Sequence, residues 1–242
     1  MRVLFFIYGV ISYLLFLLAF LYAIGFAANC VVPKSIDQGL ESPLSTALTI
    51  NLLLLGLFGI QHSVMARPGF KAWWTRLVPE PIERSTFVFL TSVILLLLFW
   101  QWRPLTSVVW DIENPALRGV LWALSGAGWL QVLYSTFVID HFDLFGLRQV
   151  FLNLRGVEYT QPQFSEKSIY RWVRHPLMTG FVVAFWATPT MTQGHLLFAV
   201  VTTAYVLVAI QLEERDLVRL IGPAYEEYQQ RTPMLLPLLK KR

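Results

Sequence analysis

Residues 174–216 read RHPLMTGFVVAFWATPTMTQGHLLFAVVTTAYVLVAIQLEERD. Arg174-His175-Pro176 opens the stretch, Thr192-Gln193-Gly194-His195 interrupts its apolar run, and Glu213-Glu214-Arg215-Asp216 closes it. The pattern predicts a helical hairpin: one helix over 176–191, a return helix from 196, and a polar extension to 221. Both polar ends then lie on the same side. A guanidinium, an imidazole and two carboxylates meet there beside a helix N-terminus, whose free N–H groups and dipole favour an anion. Such an arrangement is expected to seat a small zwitterionic ligand at a membrane surface.

The rest of the chain has the same character. Of 242 residues, 56% are hydrophobic and 14% charged, against about 25% charged in soluble domains. Apolar runs of about 20 residues are long enough to cross a bilayer as helices. The expectation is an all-α, polytopic membrane helix bundle with five to six transmembrane helices, the last two forming the hairpin, plus short cytoplasmic helices. The net charge of +4 then bears on orientation and the lipid bilayer. No nucleic-acid partner is expected, because no stretch interleaves basic and aromatic residues as a strand-binding groove does. The single cysteine, Cys30, excludes an internal disulfide and a Cys-based zinc site; it is expected to pack.

Taken in order, helices are predicted over 4–28, 44–65, 85–102, 116–139, 176–191 and 196–221, within one domain spanning 1–242. Segment 67–84, RPGFKAWWTRLVPEPIER, places Phe70, Trp73 and Trp74 near one face and reads as an interfacial helix. Trp100, Trp102 and Trp110 are expected to mark a water–lipid boundary. Pro223 opens a short last helix, with Tyr225 and Tyr228 three apart on one face. Six crossings put all Lys and Arg residues except Lys34, Arg103 and Arg118 on one side. The positive-inside rule makes that side cytoplasmic, with both termini and the site.

Several residues carry candidate chemistry, each with a plainer alternative. Pro176 suits a first helical turn, and Gly180 allows a ligand or a neighbouring helix to come close. Glu213 and Glu214 oppose the dipole at the end of their helix and need a cationic partner. Adjacent residues point about 100° apart, so one is expected to face a ligand ammonium and the other an arginine; a self-paired surface cluster is the alternative. His141, flanked by Asp140 and Asp143, suits a general base near neutral pH, or an interfacial histidine bonded to backbone. His62 is a second candidate base, or a helix-to-helix hydrogen bonder. Tyr225 and Tyr228 either line a pocket or anchor the last helix. No metal is expected: His195 falls on the opposite side, and no HExxH spacing occurs.

The stretch YRWVRHPLMTG (170–180), then EERD (213–216), Gly222, Tyr225, Tyr228 and Pro233, resembles the membrane methyltransferases related to isoprenylcysteine carboxyl methyltransferase and phospholipid N-methyltransferase. The resemblance implies S-adenosylmethionine as cofactor, bound by Arg174, His175, Pro176, Gly180, Glu213 and Glu214 within a cofactor-binding part at 140–233. Met178 stands where that family often carries an aromatic residue. Residues 60–74, IQHSVMARPGFKAWW, and 140–150, DHFDLFGLRQV, look like the methanethiol S-methyltransferase subgroup, which neighbours NnrU and nurim-like membrane proteins. This implies methyl transfer to a small-molecule thiol, giving dimethyl sulfide, in a bacterial inner membrane. His141 or His62 would then ionise the thiol, a poor nucleophile until deprotonated. The rival expectations are a lipid-linked acceptor, such as isoprenylcysteine or phosphatidylethanolamine, and a non-enzymatic nurim- or NnrU-like protein.

Overall fold

A computed structural model describes residues 1–162 and 164–237. Lys240, Lys241 and Arg242, part of the basic set expected on one membrane side, lie outside the described residues. The chain is an all-α, multi-pass membrane protein. Among the described residues four helices are long and apolar enough to cross a membrane: α1 (Arg2–Ala28), α2 (Leu44–Ala66), α4 (Glu80–Gln101) and α9 (Gln193–Ile221). The other helices are α3 (Pro68–Trp74), α5 (Pro115–Ile139), α6 (His141–Leu144), α7 (Leu147–Arg155), α8 (Pro176–Trp186) and α10 (Pro223–Arg231). Strands β1 (Val108–Asp111) and β2 (Thr190–Thr192) pair with each other.

Two compact units are formed. The first comprises Met1–Ser107, Asp140–Gln161 and Thr192–His195; the second comprises Val108–Ile139, Pro162–Met191 and the chain from Leu196 onward.

In the first unit, α1 and α2 pack on α4, and α7 packs on α1. Helix α4 begins at Glu80, earlier than the apolar pattern indicated. Pro81 fits its first turn, and Glu80 and Glu83 complement the positive end of the dipole. One end of the unit is closed by Phe26, Phe99 and Trp102. Trp102 is no interfacial belt residue: it is fully buried and donates from Nε1 to the Ile36 carbonyl at 3.0 Å. Asn51, buried in α2, bonds the Arg103 backbone twice, Nδ2 to O at 2.7 Å and Arg103 N to Oδ1 at 2.9 Å. A second cluster gathers Met65, Phe87 and Val88 with Phe16, Phe70, Trp74 and Phe145. The short amphipathic helix is therefore only part-interfacial: Phe70 and Trp74 turn into this cluster, whereas Trp73 is half exposed. Cys30 is exposed rather than packed.

In the second unit, α5 and α8 are the closest pair. A Cβ at Gly128 would lie 2.7 Å from both Ala184 N and Gly180 O, and one at Gly180 would lie 2.7 Å from Gly128 O. Only glycines allow this backbone approach, which small residues promote between membrane helices. Helix α5 starts at a capped end: Asn114 Oδ1 accepts from Ala116 N and Leu117 N, with Pro115 at the first position. Helix α8 stops at Trp186, well short of Met191. Pro189 lacks an N–H and disfavours helix at Thr188, so the chain runs extended into β2, with Ile112 N bonded to Pro189 O. With 11 residues, α8 is about 16 Å long, too short to cross the hydrocarbon core alone. Trp110 donates to Thr188 O at 3.3 Å, a tie within the unit. Helix α9 runs unbroken through Glu213–Asp216 to Ile221.

Candidate functional site

The second unit joins the two polar ends of the hairpin. Helix α8 begins at Pro176, buried, with His175 as its N-cap. The preceding residues are held by the segment that follows α10: Arg174 N donates to Pro233 O at 2.9 Å and His175 N to Met234 O at 3.1 Å. Thr179 Oγ1 adds a bond to Leu235 O at 2.9 Å. Forty residues along the chain, Glu214 meets this junction. Arg174 donates Nε to Glu214 Oε1 at 2.6 Å and Nη2 to Oε2 at 3.3 Å. His175 Nε2 lies 2.9 Å from Oε1, and Gln229 Nε2 donates to Oε2 at 2.9 Å. The rest of the guanidinium serves backbone: Nη1 donates to Gln229 O at 3.0 Å and to Thr232 O.

Glu214 is therefore saturated, with four contacts on two oxygens. Glu213 differs. Its side chain is 45% exposed, and its carboxylate faces His175 Nδ1 at 3.6 Å. One of the pair thus faces an arginine and the other is partly open to solvent. The arginine is not open: Arg174 is 11% exposed and bonded by Nε and both Nη atoms.

Tyr225 and Tyr228 are both 2% exposed and stack edge-on with each other and with Phe164. Tyr228 donates to Tyr170 O. Burial raises the phenols of all three tyrosines. Tyr228 reaches about 12, with Glu166 adding to burial; the Glu213 charge adds at Tyr170, and Glu214 and Glu213 add at Tyr225. These hydroxyls stay protonated, and that of Tyr228 ties the C-terminal helix to Tyr170. Gly180 meets α5 at Gly128.

The His141 group lies in the first unit. His141 is 3% exposed, with Phe145, Phe142 and Tyr13 around its ring at 4.9, 5.4 and 5.7 Å. Tyr13 Oη lies 2.8 Å from Nε2. Burial lowers the imidazole below its ordinary value, and the Asp140 charge opposes this. Asp140 caps α6 by accepting from Asp143 N at 3.1 Å. Asp143 is gripped by Arg148 Nη1 at 2.9 Å and Tyr159 Oη at 3.2 Å. Sequence reasoning missed Tyr13: it sits in an apolar helix, 128 residues from its partner, with no motif around it. His62 lies between Phe58 and Phe87, ring centroids 5.4 and 4.9 Å away. Its Nδ1 is buried and has no hydrogen-bond partner among the described residues.

On α9 opens a cleft of about 440 Å³ lined by Gln211, Glu214, Arg215, Val218, Arg219, Gln229 and Met234.

Comparison with known proteins gives this chain a family. The model of the NnrU protein family matches residues 50–234. The methanethiol S-methyltransferase of Mycobacterium tuberculosis is 59% identical over 231 residues, covering 96% of this chain and 95% of that protein. Methanethiol S-methyltransferase 1 of Bradyrhizobium diazoefficiens is 56% identical over 232 residues, covering 96% of this chain and 81% of its own. Nurim of Mus musculus is 31% identical over 188 residues, covering 73% and 70%. No solved structure matches. Matched from residue 50 to 234 by the family model, and along nearly its whole length by these enzymes, the chain belongs to the NnrU protein family together with the methanethiol S-methyltransferases.

Proposed function

We propose that this protein is a membrane methyltransferase that converts methanethiol to dimethyl sulfide, with S-adenosylmethionine as methyl donor. The nearly full-length match to methanethiol S-methyltransferases carries the reading. The reading also fits a chain of 242 residues acting as one catalytic domain in a bacterial inner membrane, termini and site facing the cytoplasm. The bias of Lys and Arg toward one side of the predicted crossings supports that orientation.

The residues of the second unit fit the methionyl part of this donor. When bound, S-adenosylmethionine supplies a methyl group activated by a sulfonium. Glu213, half exposed beside His175, would hold the ammonium. The first free N–H groups of α8, after Pro176, would hold the carboxylate. Arg174, His175 and Glu214 then act as the frame that fixes Glu213 and the start of α8. Positioning of this kind is a large part of what an enzyme contributes to a displacement.

Acceptance of the thiol proton is assigned to His141, with His62 as the second candidate. Burial keeps His141 neutral at pH 7 and able to take a proton. Asp140 favours the protonated ring by its charge, and Tyr13 fixes its orientation.

The deciding experiment incubates purified protein with S-adenosylmethionine and methanethiol and analyses the headspace for dimethyl sulfide. Production is expected, and is lost without either reactant. Transfer only to a prenylated or phospholipid acceptor would replace the thiol reading. Absence of S-adenosylmethionine binding would favour a nurim-like, non-enzymatic role.

A further inference from the structure

Helix α9 carries a second feature on the side away from Glu213. Residues two apart on a helix point roughly 200° apart, so Arg215 faces nearly opposite to Glu213. Arg215 and Arg219, one turn apart, are both exposed, and among the described residues neither has an ion-pair partner. They line the 440 Å³ cleft. A second cleft of about 340 Å³, lined by Leu207, Val208, Gln211, Leu212 and Arg215, adjoins it through the shared Gln211 and Arg215. The two make one groove along α9, apolar at the Leu207 end and cationic at the Arg219 end. Val208 lies about 10 Å along the axis from Arg215, and Arg219 about 6 Å beyond it. The apolar end belongs to a membrane-crossing helix, and α9 turns polar at Glu213. The groove thus passes from hydrocarbon depth to headgroup depth.

From this geometry we infer that the groove is a site for one anionic phospholipid, its phosphate between Arg215 and Arg219 and an acyl chain along Leu207, Val208 and Leu212. Charge selects the occupant. Two guanidiniums at the polar end of an apolar channel match a phosphodiester with net negative charge. A zwitterionic lipid offers the same phosphate with its charge cancelled by a neighbouring ammonium. The lipid would hold the polar end of α9 beside Glu214, which also lines the cleft and whose charge is matched by Arg174. Neither the thiol substrate nor the methyl donor enters the argument, so the site stands or falls independently of the proposed activity.

The test uses the full-length protein in detergent, without methyl donor. Phosphatidylglycerol or phosphatidylcholine of matched chains is titrated in, and bound lipid is counted by native mass spectrometry. Phosphatidylglycerol should bind, and Arg215→Gln with Arg219→Gln should weaken it about tenfold or more, since each basic contact with an anionic lipid is substantial. Arg76→Gln with Arg155→Gln, which removes the same charge elsewhere, should leave binding unchanged. Arg215→Lys with Arg219→Lys should retain most of it, and Val208→Asp should weaken it by placing a charge beside the acyl chain. Thermal unfolding of each variant separates loss of the site from loss of the fold. Equal phosphatidylglycerol binding by wild type and the double glutamine variant would overturn the inference. So would equal binding of phosphatidylcholine, full competition by inorganic phosphate, or displacement by S-adenosylmethionine, which would give the groove to the cofactor.

Discussion

Arg174 holds Glu214 at both carboxylate oxygens, 2.6 and 3.3 Å away, while its remaining nitrogen closes on the carbonyls of Gln229 and Thr232. This arginine is spent on architecture. It ties the start of α8, the end of α9 and the end of α10 into one knot, and the neighbouring Glu213 is left outside it.

Replacing Glu214 should therefore act on stability. Glu214→Ala leaves Arg174, 11% exposed, without its counter-charge. Removing one partner of a largely buried pair costs about 3–5 kcal/mol. Thermal or denaturant unfolding in detergent should show a loss of that size. A variant as stable as wild type would mean that the pair contributes nothing.

Glu213→Gln should do the opposite. Its side chain is 45% exposed and its contact is a 3.6 Å approach to His175, so unfolding should shift by less than about 0.5 kcal/mol. Titration calorimetry should nonetheless show S-adenosylmethionine bound at least about tenfold more weakly, because a charge-assisted contact to the ammonium is lost. Unaltered affinity would remove Glu213 from the cofactor site.

The glycines of α5 offer an internally controlled pair. Gly128→Ala drives a methyl to 2.7 Å from backbone atoms of α8, which forces the helices apart at a cost of about 1–3 kcal/mol. Gly126→Ala meets nothing within 4 Å and should be neutral or stabilise by up to about 1 kcal/mol, through helix propensity. Unfolding midpoints of the two variants should fall on opposite sides of wild type or nearly so.

His141 gives a pH signature. Burial lowers its folded-state value below the ordinary 6.5, so in acid the unfolded chain binds the proton more readily. Its stabilising contribution is complete above about pH 6.5 and is lost as the pH falls below that value. Between pH 7 and 5 the wild type should lose more stability than His141→Gln, as followed by unfolding at each pH. At pH 7, His141→Ala should lower turnover far more than affinity for the methyl donor. Unchanged turnover would pass the role to His62.

Much of this was legible in the residues themselves. The Arg-His-Pro opening and the Glu-Glu close of the hairpin do meet, and the different states of Glu213 and Glu214 follow from their 100° separation. The length of α8 was not read, although Pro189, with a threonine on either side, ends the helix. The Ser-Gly-Ala-Gly run at 125–128, a sign of close helix packing, went unread. Tyr13 and the carbonyls that occupy Arg174 were beyond reach: their partners lie 128, 55 and 58 residues away, and backbone acceptors have no sequence signature.

The pairing of Arg174 and His175 with Pro233 and Met234 also sets an order of events during synthesis. The backbone acceptors for the arginine lie 55 and 58 residues after it, so they emerge from the ribosome when the hairpin between them has already been made. Until then Glu214 is its counter-charge and its Nη1 group lacks the carbonyls that complete the knot. A ribosome stalled before Thr232, or a nonsense codon there, would yield a polypeptide with its membrane helices complete and its frame open, a species suited to disposal by quality-control proteases rather than to work.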